Sequence, residues 1–299
     1  MTLNGIDVFV AAAETASFST AATRLNLTRS AVAKTVARIE ARLGARLFHR
    51  TTRSLALTDD GQVYYERCLR ALEELRDGAA IIDSGRREVA GRLRVSMPVL
   101  FGRRCVAPVL VRLAAEHPHL ELDLSFSDRL VDLVEDGFDL AIRNGAVGDA
   151  PGLMIRRIGI QRMAVCAAPS YLAAHGTPRT LDDLGRHHGI TYGRAGRIYP
   201  WQFPLANNLI RDVVPSSRMR LDDLEAIAEA AAAGHGLAWL PCWLIRDRVR
   251  QGMLVGLLED TPRLRLESHA LWPQTLHLPL RVRLAIDALA AELPGQTEL

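Results

Sequence analysis

Lysine is almost missing from this chain. Of its 37 basic residues one, Lys34, is a lysine and the rest are arginine, which excludes an enzyme holding its cofactor as a Schiff base on a lysine of the larger C-terminal part. Cysteine is scarce too: Cys68, Cys105, Cys166 and Cys242 are scattered without a CxxC pair. That spacing excludes a zinc site and a disulfide framework and reads as buried small apolar residues in a reducing compartment. Long apolar runs are absent: even the stretch from Ala226 to Leu244 carries Glu229 and His235, so no membrane span is expected. The apolar run Val8 to Ala13 has no basic residue before it and is flanked by Asp7 and Glu14, unlike a secretion signal. There is no GxSxG elbow, no GxGxxG after a strand and no GxxxxGK(S/T) loop, which removes the motif support for hydrolase, dinucleotide and nucleotide enzymes. The expectation is a cytoplasmic protein that is not an enzyme and needs no metal or cofactor.

What is present is long enough for two or three domains: 299 residues, 48% hydrophobic and 24% charged, an ordinary globular balance. The net charge of +3 is informative only through its distribution. Arg24, Arg29, Lys34, Arg38, Arg42, Arg46, Arg50 and Arg53 face a single acid, Glu40, over about thirty residues. A solvated helix face interleaves acids at i, i+4 as partners; their near absence is the footprint of a polyanion site.

Helical periodicity gives that charge a frame. Ile6, Phe9, Val10 and Ala13 fall on one face of a first helix, and Ser19 is a plausible N-cap for a short second helix holding Ala21, Ala22 and Leu25. Alanines at that position permit the close crossing of two helices joined by a short turn. "NLT" is the turn, and Thr28 caps a third helix whose Val32, Val36, Ile39 and Leu43 oppose Ser30, Lys34 and Arg38. This reads as a recognition helix: Thr28, Arg29, Ser30, Ala33 and Lys34 enter the major groove of double-stranded DNA, and Arg38 grips phosphate. In "ARLFHRTTRSLALTDDG", Leu47 and Phe48 look like core. The rest reads as two short strands around a basic tip, a wing, from which Arg50, Thr52 and Arg53 reach the backbone or the minor groove.

From Thr58 a long helix is predicted, with Asp59 and Asp60 in its first turn and Cys68, Leu75 and Ile82 recurring every seven residues, Leu72 and Ala79 four after. The stripe fits either ordinary core or a dimer seam. "SGRREVAGRLRVSMP" is a hinge. Beyond it strand and helix alternate: a strand opened by Leu93 and Val95, a helix ended by His117-Pro118, the strand "LELDLSFS", a short helix "LVDLVEDG" and the strand "FDLAIRNG". The order repeats in outline after about Met163 and closes with "HALWP" and a helix Leu280 to Leu293. Such alternation predicts a parallel, doubly wound sheet.

The segment "FVAAAETASFSTAATRLNLTRSAVAKTVARIEARLGARLFHRTTRSLALTDDG" resembles the winged helix-turn-helix of the LysR-type transcriptional regulators, through "SFSTAA", "IEARLGARLFHRTTR" and "LTDDG". The likeness is dense over Met1 to about Ala90 and collinear to about Leu293. Arg29 and Ser30 stand where that family usually has proline or serine. The resemblance implies an α/β protein: a winged helix-turn-helix over 1–58, a linker and dimerisation helix over 59–90, and a two-lobed, periplasmic-binding-protein-like effector domain over 91–299. Lobe one is expected at about 91–163 and 268–293, lobe two at about 164–267. It further implies an antiparallel homodimer or homotetramer on an interrupted palindrome, with half-sites roughly 34 Å apart, and RNA polymerase as a partner.

Ligands of doubly wound folds sit at strand C-termini and helix N-termini. That places a small-molecule effector in the interlobe crevice, against Ser96, Pro98, Val99, Leu100, Ser127, Arg143, Thr191, Tyr192 and Trp201. Each has a plainer reading: Pro98 as a loop former, Arg143 as the partner of Asp139 or Asp128, and Thr191, Tyr192 and Trp201 as core. The adjacent His187 and His188 diverge by about 100° on a helix and make a poor chelating pair. The rival to an effector-controlled regulator is an architectural DNA-binding protein whose second domain only oligomerises.

Overall fold

The computed structural model describes residues 5–50, 55–83, 89–194, 196–205 and 209–297. The chain divides into two compact units, Met1–Arg92 and Leu93–Leu299.

The first unit opens with three helices, α1 (Ile6–Thr15), α2 (Phe18–Arg24) and α3 (Arg29–Leu43). A two-stranded antiparallel wing of β1 (Phe48–Arg50) and β2 (Leu55–Leu57) follows, then the long α4 (Asp59–Asp83). Phe9, Val32, Val36, Ile39, Leu47 and Phe48 are buried together, and the Phe9 ring centroid lies 5.5 Å from Phe48 and 5.1 Å from Tyr64. Ala21 and Ala22 are buried where α2 meets its neighbours, as close helix crossing requires. The cap of α2 is Ser17, not the expected Ser19: its side chain accepts the Thr20 N–H at 3.3 Å. The helix starts two residues earlier because Phe18 joins the core and carries the first turn with it. Thr28 caps α3 as expected, accepting the Ala31 N–H at 3.2 Å, and α3 ends on Gly44 at φ +68°, a left-handed C-cap suited to glycine.

At the wing base, Thr58 accepts the Gly61 N–H at 2.9 Å and donates to the Arg46 carbonyl. A Cβ on Gly61 would stand 2.0 Å from the Leu47 carbonyl oxygen, so "LTDDG" ends in glycine because helix and wing touch backbone to backbone. The heptad stripe divides along α4. Cys68 is core of this unit and Leu72 packs against that core, whereas Leu75 is exposed. The side chains of Ala79 and Ile82, the residues 84–88, Thr52 and Arg53 lie outside the described residues, as does the side chain of Arg50.

The boundary falls within β3 (Gly91–Met97), and the second unit continues with a single turn α5 (Val99–Phe101), a π turn Gly102–Val106 and α6 (Ala107–Glu116). Then come β4 (Leu120–Phe126), β5 (Leu140–Asn144), the fifteen-residue β6 (Leu153–Ala167) and α7 (Pro169–His175). After a 3-10 turn, Asp182–Arg186, the chain forms β7 (His188–Arg194), β8 (Arg197–Ile198), β9 (Trp201–Pro204), β10 (Ile210–Val213) and β11 (Ser216–Leu221). It finishes with α8 (Leu224–Ala232), β12 (Ala238–Pro241), α9 (Cys242–Arg250), β13 (Val255–Leu257), β14 (Arg265–Pro273) and α10 (Leu280–Thr297).

The predicted parallel pairing is present between β3 and β5 and between β7 and β11. The sheet as a whole is mixed, because β14 runs antiparallel to both β5 and β6. These two long strands are the crossing point. The first part of β6 pairs with β14, and Met163–Ala167 pairs with β12 and β13. Each lobe has its own core: Leu133, Ala141 and Leu271 cluster in the first, and Cys166, Ile190, Ile227, Leu240 and Ile245 in the second.

The expected helix "LVDLVEDG" is instead a loop and one turn over residues 128–137. The Asp132 carboxylate accepts the N–H groups of Val134 and Glu135, both at 2.9 Å, and Asp136 accepts that of Asp132 at 3.0 Å. These local bonds offer the backbone an alternative to helix. The strand "LELDLSFS" forms, but only Leu120 of its apolar residues is buried and Phe126 is 43% exposed. All four cysteines are free and buried, and burial pushes the Cys105 and Cys166 thiols up to about 12.

Candidate nucleic-acid interface and effector crevice

The first two turns of α3 and its cap carry the expected base-reading residues on an open surface. Thr28, Arg29, Ser30, Lys34 and Arg38 are exposed and Ala33 is half-buried, while Val32, Val36 and Ile39 on the opposite side are sealed in the core. Glu40, the one acid of the basic stretch, accepts the backbone N–H groups of Leu47 and Phe48 at 2.9 and 3.3 Å. It thereby ties α3 to the wing, from the half-buried part of the helix rather than from the face holding Arg29 and Lys34. In the sequence this residue stands out only as a charge; its structural use follows from the turn at Gly44 that brings the wing back onto α3.

In the second unit the loop after β3 and the loop after β4 meet. Asp128 accepts the Val99 N–H at 3.1 Å, next to Pro98, which caps the single turn α5. The Ser127 N–H donates to the Met97 carbonyl at 2.8 Å, and the Ser127 hydroxyl accepts the Arg129 N–H at 3.2 Å. Arg143, at the end of β5, donates to the buried Ser96 hydroxyl at 3.0 Å and to the carbonyls of Ile142 and Arg129 at 2.7 and 3.3 Å. All three acceptors are neutral, and among the described residues no carboxylate forms an ion pair with Arg143. Burial pushes its guanidinium below the usual arginine range while the nearby Asp128 charge opposes that shift. The expected partnership with Asp139 is not formed: Asp139 accepts the Arg94 N–H at 2.8 Å instead.

The second lobe contributes Tyr192, half-buried, its ring 5.5 Å from that of Tyr199. Burial raises its phenol, Arg194 opposes that shift, and the Asp128 charge adds to it. Leu100 packs against the second lobe's core, as do Tyr192, Leu221 and Leu224. Ser96, Pro98, Val99, Leu100, Ser127, Arg143 and Tyr192 therefore belong to one neighbourhood held together around Asp128.

Two expected lining residues do not. Trp201 is 2% exposed and packs with Tyr171, Leu184 and Leu237 in the second lobe's core; it starts an antiparallel hairpin with β10 whose inner face needs a large apolar plug. Thr191 is fully buried, its hydroxyl 3.2 Å from that of Ser217 and 3.4 Å from the Met219 carbonyl, so it ties β7 to β11. Arg194 and Tyr199 come to Tyr192 through the β7–β8 hairpin and were not expected from the sequence. His187 is spent on Tyr171, its Nδ1 3.3 Å from the phenol oxygen. Among the described residues no three His, Cys, Asp or Glu side chains come together as a metal site, and no helix is long and apolar enough to cross a membrane.

Comparison with known proteins agrees over nearly the whole chain. Residues 3–62 match the model of bacterial regulatory helix-turn-helix proteins of the lysR family, and residues 86–294 match the LysR substrate binding domain. An HTH-type transcriptional repressor of Pseudomonas aeruginosa is 32% identical over 95% of this chain and 90% of its own. The HTH-type transcriptional activator AaeR of Escherichia coli is 31% identical over 96% of this chain and 92% of its own. The solved structure of CrgA, a LysR-type transcriptional regulator from Neisseria meningitidis, matches at 29% identity and a TM-score of 0.61, covering 98% of this chain and 99% of that one. A basic, open third helix beside a wing, followed by a sheet-based unit with two strands crossing between two cores, thus meets matches to both halves of one architecture: this chain belongs to the LysR-type transcriptional regulator family.

Proposed function

We propose that this protein is a site-specific DNA-binding regulator that answers to a small molecule, and that it works in the cytoplasm without catalysing a reaction. The observation that carries the reading is the exposed basic face of α3, with Arg29, Ser30 and Lys34 open and Glu40 withdrawn from it. Residues 1–58 bind the operator, with Thr28, Arg29, Ser30, Ala33 and Lys34 against base edges. Arg38, with Arg50, Thr52 and Arg53 of the wing, holds phosphate or the minor groove. Residues 59–90 join two subunits, so that a homodimer or a homotetramer spans an interrupted palindrome.

Residues 91–299 hold the effector in a crevice lined by Ser96, Pro98, Val99, Leu100, Ser127, Arg143 and Tyr192, between lobes at about 91–163 with 268–293 and 164–267. Arg143 suits an anionic group there, since its present acceptors leave its charge unmatched. Effector binding changes lobe closure and the spacing of the paired winged units, and a preference of about 1 to 3 kcal/mol for one arrangement suffices. RNA polymerase is the expected downstream partner. A repressor and an activator are about equally similar to this chain, so likeness does not choose the sign of regulation, which transcription from the bound operator reads.

The architectural alternative predicts sequence-tolerant binding and no effector. Footprinting on the DNA upstream of the protein's own gene separates the two. Protection of two half-sites about one helical turn apart, preferred over scrambled DNA by at least about 10³-fold, supports the regulator; even coverage supports the architectural protein.

A further inference from the structure

A cavity of about 470 Å³ opens where the π turn Gly102–Val106 meets α8 and α9, and none of the crevice residues lines it. Its volume suits a small organic molecule. The wall holds four arginines, Arg104, Arg246, Arg248 and Arg250, against two acids, Glu229 and Asp247. Arg248, with 13% of its side chain exposed, is clamped by Glu225 at 2.7 Å and by Glu229, and donates to the Leu244 carbonyl at 3.3 Å. Glu225 also meets Arg104 at 3.2 Å. The acids nearest the floor are thus used by Arg248. Arg104 and Arg250 stay 56% and 72% exposed, and Arg250 meets Asp247 only at 3.8 Å, beyond hydrogen-bond range. Glu225 is shared between Arg248 and Arg104, so Arg104 and Arg250 keep exposed faces that an anion can meet. Apart from Gln251, the rest of its wall is apolar: Cys105, whose thiol stays protonated, with Ala232, Trp243, Leu244 and Met253.

We propose that this cavity is a second ligand site, taking a small amphipathic carboxylate whose charged end meets Arg104 and Arg250 and whose apolar body lies along Trp243 and Met253. The π turn that presents Arg104 and Cys105 is a rare backbone form that recurs at functional sites. Trp243 also links the cavity to the crossing strands. Its indole N–H donates to Gln161 Oε1 at 2.8 Å, Gln161 Nε2 donates to Ser268 Oγ at 2.9 Å, and Ser268 Oγ donates to Asn144 Oδ1 at 2.9 Å. An indole nitrogen can only donate, so the direction of the whole chain is fixed. It runs through buried groups from α9 across β6 and β14 to the residue beside Arg143, and it connects occupancy of the cavity to the crevice.

The test uses the full-length protein and benzoate as probe, with inorganic phosphate as the charge-only and benzyl alcohol as the ring-only control. Calorimetry is expected to show saturable benzoate binding at least about tenfold tighter than either control. A tryptophan fluorescence change accompanies it and disappears in Trp243→Phe. Replacing both Arg104 and Arg250 by Ala removes exposed side chains only and lowers benzoate affinity about tenfold or more; Arg250→Glu alone does the same. Benzoate binding that survives the double variant and is lost in Arg143→Ala would put the carboxylate in the crevice and overturn the proposal. So would equal binding of benzyl alcohol or phosphate, or no saturation up to about 20 mM.

Discussion

Arg143 Nη2 stands 3.0 Å from the hydroxyl of the fully buried Ser96. The pair joins the ends of β5 and β3, two parallel strands whose C-termini lie at the proposed crevice. This guanidinium donates to a hydroxyl and two carbonyls and forms no ion pair among the described residues, with only the Asp128 charge acting on it from nearby.

Arg143→Ala is therefore expected to abolish the effector response while leaving effector-free operator affinity within about threefold of the parent. Arg143→Lys should not restore the response, because an ammonium lacks the planar fork that reaches three acceptors at once. Operator binding with and without effector checks both.

Lys34 is the only lysine of the chain and sits exposed in the second turn of α3. Lys34→Ala should weaken operator binding by about tenfold. A loss confined to the operator marks a base contact. An equal loss on random DNA, with the salt slope reduced by about 1, marks a phosphate contact. An unchanged affinity would mean that α3 is not the reading helix.

Gly61→Ala should destabilise the winged unit by about 2 kcal/mol or more. The added Cβ would stand 2.0 Å from the Leu47 carbonyl oxygen, a backbone atom that cannot turn aside. Denaturant unfolding of the variant, with its operator affinity, measures the loss.

His187 is 7% exposed, and burial, helped by the charge of His175, lowers its pKa from the ordinary 6.5. Above that value both folded and unfolded chains hold it neutral. Below it the unfolded chain takes up a proton that the folded chain resists, so stability falls as pH drops through about 6.5 and lower. His187→Gln should flatten this dependence, read as the urea midpoint at pH 7.5 against pH 5.5.

The first unit was legible in the sequence because its signals are local: caps, 3.6-residue periodicity and a charge run all lie within sixty residues. The Ser17 cap was not legible because two serines stand two residues apart and only the packing of Phe18 against the core selects between them. In the second unit, strands and helices could be placed in order, but pairing could not. The antiparallel crossing of β6 and β14 joins residues about a hundred positions apart, and alternation of strand and helix suggests parallel pairing throughout. For the same reason Trp201 and Thr191 looked equally suited to core and crevice, and only the hairpin with β10 and the tie to β11 sent both inward. Asp128, by contrast, lay in a loop already singled out, and its bond to the Val99 N–H explains why the loops after β3 and β4 act together.

The central claim is site-specific binding through α3. Selection of bound fragments from a random double-stranded DNA library by the full-length protein, repeated across a salt series, tests it most directly. The account predicts enrichment of one interrupted palindrome with half-sites about one helical turn apart and a steep loss of affinity with salt. Uniform recovery of the library at every salt concentration would contradict it.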